Sequence, residues 1–357
     1  MTFNIVFTGG GTAGHVTPNV ALISIFKRDG WHIDYIGSPD GIEKNMITAI
    51  DVPFYGVSSG KLRRYFSWKN FFDPFKILLG IGQSYRLLRR LKPGVVFSKG
   101  GFVAFPVVVG AWLNRIPIVA HESDMSPGLA NRLSFPFVNK ICVTFAAAKD
   151  HFKQQDKIEV TGTPIREELL TGDKDKGLAL CGFTPGKPCL LVIGGSQGAI
   201  ALNACVRESL DLLTQSFQII HLCGKGKLDK TLVGRDSYCQ FEYANETLPH
   251  FLAASDLVIS RAGANSLYEI LASAKPHILV PLSEQVSRGD QVQNARYFQQ
   301  QGISTVLRED ALTKETLCAA IEKTFAHRDS IIKKIKVLKI ESGTPKIVKL
   351  LKEQVHV

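Results

Sequence analysis

Short runs of apolar and β-branched residues alternate with longer stretches of helical periodicity along the whole chain. In the first half, most of the apolar runs are followed by a helical pattern. They predict strands at 4–8, 32–36, 95–98, 116–121, 140–143 and 158–161. This alternation is typical of parallel sheets built from β-α-β units. We therefore expect an α/β protein with a doubly wound sheet.

The pattern breaks at Gly162-Thr163-Pro164 and restarts near Cys189. The second series of apolar runs predicts strands at 190–193, 218–222, 257–260, 277–281 and 305–307. A chain of 357 residues suits two domains better than one core. We expect these domains at 1–162 and 163–337, with the carboxyl ends of both sheets facing a cleft. A basic tail helix at about 338–357 is expected to pack back on the first domain.

Two glycine-rich loops follow predicted strands and open helices, about half a chain apart. The first comprises Thr8, Gly9, Gly10, Gly11, Thr12, Ala13, Gly14 and His15, and the second Gly194, Gly195, Ser196, Gln197, Gly198 and Ala199. Backbone N–H groups at such turns, together with the helix dipole, favour a phosphate or pyrophosphate. A tight turn made for packing alone is the alternative. The sequence thus predicts two anion sites.

The first loop also matches the dinucleotide fingerprint, with glycines at 9, 11 and 14. Asp34 lies where that fingerprint expects a ribose-binding acid, which leaves an NAD-dependent oxidoreductase as an alternative. However, Asp34 falls inside a predicted strand, and the second loop and Glu269 would then have no explanation. His15, on the first helical turn, is a candidate general base or phosphate ligand, or else a structural histidine.

His121, Glu122 and Asp124 gather three titratable groups within four residues, at the end of a predicted strand. Because acids and bases are often placed at strand ends, His121 and Asp124 are candidate catalytic residues. Further along, Asp290 and Gln291 suit sugar hydroxyls, although an N-cap explains Asp290 equally well. No cluster pairs with a second one at metal-ligand spacing, so no metal is expected.

The net charge of +11 lies mostly in the first half of the chain, and nine basic residues fall within 61–92. Aromatic and aliphatic residues are interleaved with them, and some must be core. The membrane-associating set predicted from this pattern is Trp68, Phe71, Phe72, Phe75, Lys76, Leu79 and, beyond it, Trp112. Basic and aromatic residues at helical spacing are typical of a helix in the headgroup region of an anionic membrane. No nucleic-acid motif accompanies the charge.

No apolar run reaches the roughly 20 residues that span a bilayer, and no signal peptide is recognisable. The seven cysteines contain no C-x-x-C pair. An odd number of cysteines without such a pair favours reduced thiols and a cytoplasmic protein.

The motifs as a set resemble the undecaprenyl-pyrophosphoryl-muramoylpentapeptide N-acetylglucosaminyltransferases of bacterial peptidoglycan synthesis, the MurG-type enzymes. The motifs that carry the resemblance lie at 8–15, 98–102, 121–124, 163–166, 194–199, 260–269 and 290–295. The resemblance implies a GT-B fold of two Rossmann-like domains facing across a cleft. It also implies inverting β-1,4 transfer from UDP-N-acetylglucosamine to lipid I, giving lipid II, without a cofactor.

The resemblance further implies a peripheral protein at the cytoplasmic face of the membrane, with other peptidoglycan-synthesis proteins as further partners. A catalytically silent paralogue, or one with a different acceptor, is the alternative. Two positions depart from the commonest pattern of the family. Phe102 stands where many members have tyrosine, and Asp124 where many have asparagine, which makes Asp124 an extra candidate for the base.

Site residues follow from the same resemblance. The acceptor diphosphate is expected on the first glycine loop and Gly101, with His15 near the reacting centre. The UDP-N-acetylglucosamine set is Thr12, Gly14, Asp124, Arg166, Ser196, Gln197, Tyr243, Ala244, Asn245, Gly263, Ala264, Glu269, Asp290 and Gln291. In this set Arg166 and Ser196 hold the donor diphosphate and Glu269 the ribose. Gln291 and the Ala264 backbone contact the sugar hydroxyls.

Overall fold

The computed structural model describes residues 3–60, 69–152, 154–195, 199–284 and 289–355, with side chains from residue 73 onward in the helix that begins at Lys69. The chain divides into two compact units. Unit 1 comprises residues 1–165 and 342–357, and unit 2 comprises residues 166–341. Each unit is built on a parallel sheet.

The described residues of unit 1 form a seven-stranded sheet in the order β3-β2-β1-β4-β5-β6-β7. Its strands are β1 (Asn4–Thr8), β2 (His32–Gly37), β3 (Phe54–Gly56), β4 (Val95–Ser98), β5 (Ile118–Glu122), β6 (Lys140–Val143) and β7 (Ile158–Val160). Its helices are α1 (Thr17–Arg28), α2 (Ile42–Thr48), α3 (Lys69–Leu91), α4 (Ala104–Leu113), α5 (Leu129–Ser134) and, from the end of the chain, α14 (Thr344–Val355). Short 3-10 helices lie at Ala13–His15, Phe135–Phe137, Ala146–His151 and Gln155–Lys157.

The core of unit 1 packs aromatic rings of β1, α1 and β4 against one another. Phe7 contacts Phe26 and Phe97, with ring centroids 6.0 and 5.7 Å apart. Ile347 and Leu351 of α14 are fully buried in the same cluster. The C-terminal helix therefore belongs to the core of unit 1, although its sequence lies beyond unit 2.

The described residues of unit 2 form a six-stranded sheet in the order β10-β9-β8-β11-β12-β13. Its strands are β8 (Cys189–Ile193), β9 (Gln218–Leu222), β10 (Tyr238–Phe241), β11 (Leu257–Ser260), β12 (His277–Leu279) and β13 (Thr305–Val306). Its helices are α6 (Lys174–Ala179), α7 (Ile200–Glu208), α8 (Leu210–Ser216), α9 (Leu248–Ala254), α10 (Ala264–Ala272), α11 (Asp290–Gln300), α12 (Lys314–Ala326) and α13 (Arg328–Val337). Short 3-10 helices lie at Glu167–Leu170, Lys230–Leu232 and Glu309–Ala311.

Each sheet reverses its winding once. In unit 1 the chain moves outward from β1 to β2 on one side and from β4 to β5 on the other, and β1 pairs with β4. In unit 2 the paired strands β8 and β11 have the same relationship. Ligands of doubly wound sheets bind at the carboxyl ends of the strands at such switch points. The loops after β1 and β4 are therefore a candidate site in unit 1, and the loops after β8 and β11 are a candidate site in unit 2.

The predicted α/β class is confirmed, and two strands were not predicted. These are β3 and β10, each at the edge of its sheet, and their residues are mostly half-exposed. In the described part of the chain, no helix combines the length and the apolar character that crossing a membrane requires.

Candidate functional site

The loops after β1 and β4 pack directly on each other at the switch point of unit 1. The N–H of Lys99 donates to the carbonyl of Thr8 at 2.9 Å, and the N–H of Gly10 donates to the carbonyl of Gly100 at 3.3 Å. A Cβ on Gly101 would lie 2.3 Å from the Gly10 carbonyl oxygen. The structure thus brings the first glycine loop and the predicted Gly101 together, and only glycine permits their backbones to approach this closely.

Glu43, in α2, is a buried carboxylate that the sequence analysis did not single out. Its Oε2 accepts the N–H of Gly11 at 3.1 Å, and its Oε1 accepts the N–H of Ser38 at 2.9 Å. A Cβ on Gly10 or on Gly41 would lie 2.2 Å from Oε1. Glu43 therefore shapes the loop and occupies space that the two glycines leave open.

This geometry changes the expected anion cradle of the first loop. Because the N–H groups of Gly10 and Gly11 donate within the protein, they do not face an open space. The first helical turn begins at Ala13, preceded by Thr12 in extended conformation. The N–H groups of Gly10 and Gly11 are therefore already engaged, and Thr12 and Ala13 stand at the start of the helical turn.

Buried polar groups of β2 and α1 hold the first glycine loop in place through hydrogen bonds. The Tyr35 hydroxyl donates to the carbonyl of Gly9 at 2.7 Å. Asn19 donates to the Tyr35 oxygen at 3.0 Å and to the carbonyl of Thr8 at 3.3 Å. Burial raises the pKa of the Tyr35 hydroxyl far above its usual value, so it remains a proton donor.

His15 lies at the end of the first 3-10 turn and is partly exposed. Its Nδ1 is 3.0 Å from the hydroxyl oxygen of Thr12, three residues earlier. When Nδ1–H donates to Thr12, Nε2 is the basic nitrogen of the ring. The Thr12 to His15 spacing therefore gives the candidate base a defined orientation.

The cluster at the end of β5 separates into different environments. His121 is fully buried, and its Nε2 lies 2.9 Å from the carbonyl oxygen of Gly162. Burial and the nearby ammonium of Lys99 lower the pKa of His121 well below its usual value, so the ring is neutral. This burial argues against the predicted catalytic role of His121 and favours a structural one.

Glu122 is also engaged within the protein. Its carboxylate accepts the N–H groups of Asp124 and Gly128, both at 3.0 Å, and the side-chain amide of Asn131 at 2.8 Å. Asp124 is partly exposed. Of the three titratable groups, Asp124 is the one placed to reach a substrate.

Asp34, the ribose-binding acid that the dinucleotide fingerprint would require, lies within a strand and not in a loop. Asp34 is 1% exposed within β2, and its carboxylate is 3.3 Å from Nε2 of His32. Burial raises the pKa of Asp34, with the His32 ring as the largest opposing influence. A covered carboxylate in mid-strand cannot accept ribose hydroxyls, so the structure does not favour the NAD alternative.

In unit 2, helices α10 and α11 meet at their N-termini. Oε1 of Gln291 accepts the N–H of Leu282 at 3.1 Å, and its Nε2 lies 4.0 Å from the place of a Cβ on Gly263. Asn294, which the sequence analysis missed, donates to the carbonyl of Ala262 at 3.1 Å. These contacts bring the predicted sugar-binding Gln291 beside the start of α10.

The neighbouring Asp290 is the first residue of α11, and Gly289, in left-handed conformation, is its N-cap. The N-cap interpretation of Asp290 is therefore wrong. Ala264 is the first residue of α10, with Gly263 as the N-cap. Both helix N-termini thus carry predicted donor-site residues.

Glu269 lies in the second turn of α10 and is only partly exposed. Loss of hydration raises the pKa of its carboxyl to about 7, and the guanidinium of Arg166 opposes that rise. The charge of Arg166, the first residue of unit 2, thus stabilises the ionised form of Glu269. The predicted diphosphate residue therefore acts electrostatically on the predicted ribose residue.

The remaining predicted donor residues are less constrained. Tyr243 is 48% exposed, and it lies with Ala244 and Asn245 in the connection from β10 to α9. Gly194 and Gly195 follow β8, and Gly195 has a φ of +84°. Ser196, Gln197 and Gly198 lie outside the described residues.

Family models match both units. Residues 5–143 match the glycosyltransferase family 28 N-terminal domain, and residues 189–351 match the family 28 C-terminal domain. The chain belongs to glycosyltransferase family 28.

Two curated relatives in this family span the chain almost end to end. Both are named UDP-N-acetylglucosamine--N-acetylmuramyl-(pentapeptide) pyrophosphoryl-undecaprenol N-acetylglucosamine transferase. The one from Legionella pneumophila (strain Paris) is 69% identical over all of this chain and 98% of the relative. The one from Clostridium tetani is 51% identical over 99% of this chain and 98% of the relative. These matches confirm the resemblance that the motifs indicated.

Solved structures show the same fold. The crystal structure of Acinetobacter baumannii MurG has a TM-score of 0.77 at 22% identity, covering 99% of this chain and all of that one. A calicheamicin glycosyltransferase has a TM-score of 0.72 at 16% identity, covering all of this chain and 99% of that one. With the two parallel sheets and the family 28 matches, these similarities confirm the predicted GT-B fold.

Two helices of unit 1, α3 and α4, also carry exposed apolar side chains. Phe75 and Leu79, both predicted to associate with a membrane, are 65% and 57% exposed on α3, with the exposed Lys76 between them. Trp112 of α4 is 51% exposed. Trp68 and the side chains of Phe71 and Phe72 lie outside the description.

Two further such side chains were not predicted. Leu78 of α3 is 66% exposed and Leu113 of α4 is 49% exposed. Leu78 lies three residues after Phe75, and Leu79 lies four residues after Phe75. This spacing places all three on one helix face. We refer to these exposed apolar side chains, which are Phe75, Leu78 and Leu79 of α3 and Trp112 and Leu113 of α4, as the apolar surface; they are grouped by their exposure on these two helices.

Proposed function

We propose that this chain transfers N-acetylglucosamine from UDP-N-acetylglucosamine to lipid I, forming lipid II. The acceptor group is the 4-hydroxyl of the muramoyl sugar, and the configuration at the transferred carbon inverts. The observation that carries this proposal is the full-length match, at 69% and 51% identity, to transferases named for this donor and acceptor. The sites at both switch points support it.

The donor is proposed to bind in unit 2. The Glu269 carboxylate accepts two ribose hydroxyls, and Arg166, whose charge stabilises that carboxylate, contacts the diphosphate. Oε1 of Gln291 is engaged with Leu282, so its amide N–H₂ donates to the sugar. The N-terminus of α10 adds backbone donors at Ala264. This arrangement places fixed positive potential near the departing UDP.

The acceptor is proposed to bind in unit 1. Its diphosphate meets the first helical turn at Thr12, with Gly9–Gly11 and Gly101 forming the floor. Transfer requires a base that takes the proton of the attacking hydroxyl as that oxygen bonds to the sugar carbon and UDP leaves. His15, oriented by Thr12, and Asp124 are the two candidates.

We further propose that the protein works as a peripheral enzyme at the cytoplasmic face of the membrane. The apolar surface of α3 and α4, with Lys76 beside it, supplies both parts of such an attachment. Arg166 and the helix N-termini supply the positive potential that a metal provides in other transferases. We therefore expect transfer without divalent metal.

Transfer of radiolabelled N-acetylglucosamine to a short-chain lipid I analogue, in the presence of a chelator, tests the proposal. We expect labelled disaccharide product, lost in Glu269→Ala. Removing a contact to the diphosphate, as in Arg166→Ala, should cost on the order of 3 kcal/mol in transition-state stabilisation. Wild-type protein that binds UDP but forms no product would favour a silent paralogue or another acceptor. Measurable NAD binding would favour the oxidoreductase alternative.

A further inference from the structure

Lys99 is a fully buried lysine at the switch point of unit 1. It is 1% exposed, and its Nζ donates to the hydroxyl of Ser123. Its backbone N–H donates to the carbonyl of Thr8, and its Cβ lies 3.1 Å from the place of a Cβ on Gly9. One residue therefore joins the ends of β1, β4 and β5.

The charges that face this ammonium come from the end of β5. Glu122 and Asp124 flank Ser123 in sequence, and both stabilise the charged form of the lysine. Burial lowers the pKa of Lys99 to about 8, so the group is still mostly protonated at pH 7.

The other groups beside Lys99 carry no charge at this pH. His121 of β5 is neutral because burial and the Lys99 charge lower its pKa. Cys142 of β6 is a neutral thiol because burial raises its pKa to about 12. Glu122 and Asp124 are thus the charged groups that stabilise the Lys99 ammonium. Glu122 already accepts hydrogen bonds from Asp124, Gly128 and Asn131, whereas Asp124 is partly exposed.

We propose that Lys99 is a positioning residue whose buried ammonium, through its hydrogen bond to Ser123, holds the Ser123–Asp124 segment against the first glycine loop and serves as the counter-ion of the Asp124 carboxylate that accepts the proton. This inference rests on the proposed function, because the proton that Asp124 accepts is that of the acceptor hydroxyl. It accounts for a charge that would be costly to bury without a role. It also gives Asp124, which departs from the commonest family residue, a built-in counter-ion.

Lys99→Met removes the ammonium and keeps a side chain of similar length. The first measurement is a ¹³C NMR titration of the aspartate carboxyl carbons, with Asp124→Asn to assign the resonance. Because an adjacent opposite charge lowers a carboxyl pKa by about 1 unit or more, Lys99→Met should raise the pKa of Asp124 by that amount. Lys140→Met is the matched control, since Lys140 pairs with Glu159 at 3.2 Å elsewhere on the same sheet. It should leave Asp124 unchanged.

The second measurement is the pH profile of transfer to the lipid I analogue. In Lys99→Met the acidic limb of kcat should move to higher pH by the same amount, while affinity for UDP stays at the wild-type value. Lys99→Met combined with Asp124→Asn should be no slower than Asp124→Asn alone. Ser123→Ala, which keeps the lysine and removes its hydrogen bond, should lower kcat as the segment loses its anchor, and it serves if Lys99→Met does not fold.

The two measurements separate the two proposals. The titration needs no substrate, so an unchanged Asp124 pKa in Lys99→Met overturns the electrostatic role of Lys99 whatever the enzyme does. If the wild type transfers sugar to lipid I but the acidic limb of kcat in Lys99→Met stays where it is in the wild type, only the catalytic consequence is overturned. Failure of the wild type to transfer sugar would overturn the proposed function and leave the titration result standing.

Discussion

Gly101 and Gly10 are in backbone contact, and a Cβ on Gly101 would lie 2.3 Å from the Gly10 carbonyl oxygen. Gly101 and Gly11 have nearly the same left-handed conformation, with φ of +87° and +86°. They differ in their surroundings, because no atom lies within 4 Å of the place of a Cβ on Gly11. The pair therefore separates steric exclusion from backbone strain.

Gly101→Ala should destabilise unit 1 more than Gly11→Ala does. Both variants carry the strain of a left-handed alanine, about 1–2 kcal/mol. Gly101→Ala must also displace the Gly10 backbone, which should add about 1–3 kcal/mol. Trp31, Trp68 and Trp112, the three tryptophans of the chain, all belong to unit 1, so urea unfolding followed by tryptophan fluorescence reports on this unit. Equal losses in the two variants would contradict the close approach.

Glu43→Gln should weaken the first loop without affecting the donor site. A neutral amide accepts the N–H groups of Gly11 and Ser38 less strongly than a carboxylate, which should cost about 1–2 kcal/mol of stability. We expect kcat/KM for the lipid I analogue to fall at least about tenfold while UDP affinity is unchanged. Glu159→Gln is the control, because that carboxylate is 46% exposed and pairs with Lys140. A similar loss in both variants would argue against a special role for Glu43.

The sequence predicts those parts of the fold that depend on residues close together in the chain. The apolar runs of buried strands and the glycines that follow them are local, and both switch points were found from them. The edge strands β3 and β10 are short and mostly half-exposed, so they lack the apolar run that marks a buried strand. β3 pairs with β2, and β10 pairs with β9, so each edge strand forms by adding to a neighbouring strand and not from a pattern of its own.

The site residues that were missed depend on contacts between distant positions. Glu43 reaches a backbone N–H 32 residues away, and Lys99 reaches a hydroxyl 24 residues away. The local sequence carries no signal of either contact. His121 shows the opposite problem, since every residue of β5 is buried and a polar residue there need not face a ligand. A cluster of titratable residues therefore predicts a site better than it predicts which member acts.

The apolar surface of α3 and α4 should bind anionic vesicles. Phe75→Ser combined with Leu79→Ser removes two side chains that are more than half exposed, each worth about 1 kcal/mol or more when buried in lipid. We expect vesicle affinity to fall about tenfold or more in a sedimentation assay, and transfer to a water-soluble acceptor to be retained. The control is Ile200→Ser with Val233→Ser, two residues of unit 2 that are each 75% exposed. An equal loss in the control would remove the apolar surface as the attachment site.

Donor binding should depend on pH through Glu269, whose carboxyl pKa is raised to about 7 by loss of hydration. Only the ionised form can accept two ribose hydroxyls. UDP affinity should therefore fall about tenfold between pH 8 and pH 6 in the wild type. Glu269→Gln should bind more weakly at pH 8 and lose this dependence. Protonation of UDP itself affects the wild type and Glu269→Gln equally. If calorimetric titrations show the same change of UDP affinity with pH in both proteins, Glu269 is not the group responsible.

The same carboxyl predicts a stability change of definite sign. Its pKa in the folded protein lies above the ordinary value of 4.5, so the folded state binds the proton more tightly than the unfolded chain. The stabilisation that results is fully present below pH 4.5 and is lost as the pH rises through 7. Glu269→Gln keeps a neutral side chain at every pH, and it should exceed the wild type in free energy of unfolding at pH 8 by up to about 3 kcal/mol. At pH 4.5 the difference should nearly vanish. Urea unfolding followed by circular dichroism at the two pH values measures both differences. If the wild type is the more stable protein at pH 8, the ionised Glu269 stabilises the folded state through the charge of Arg166 by more than its burial destabilises it.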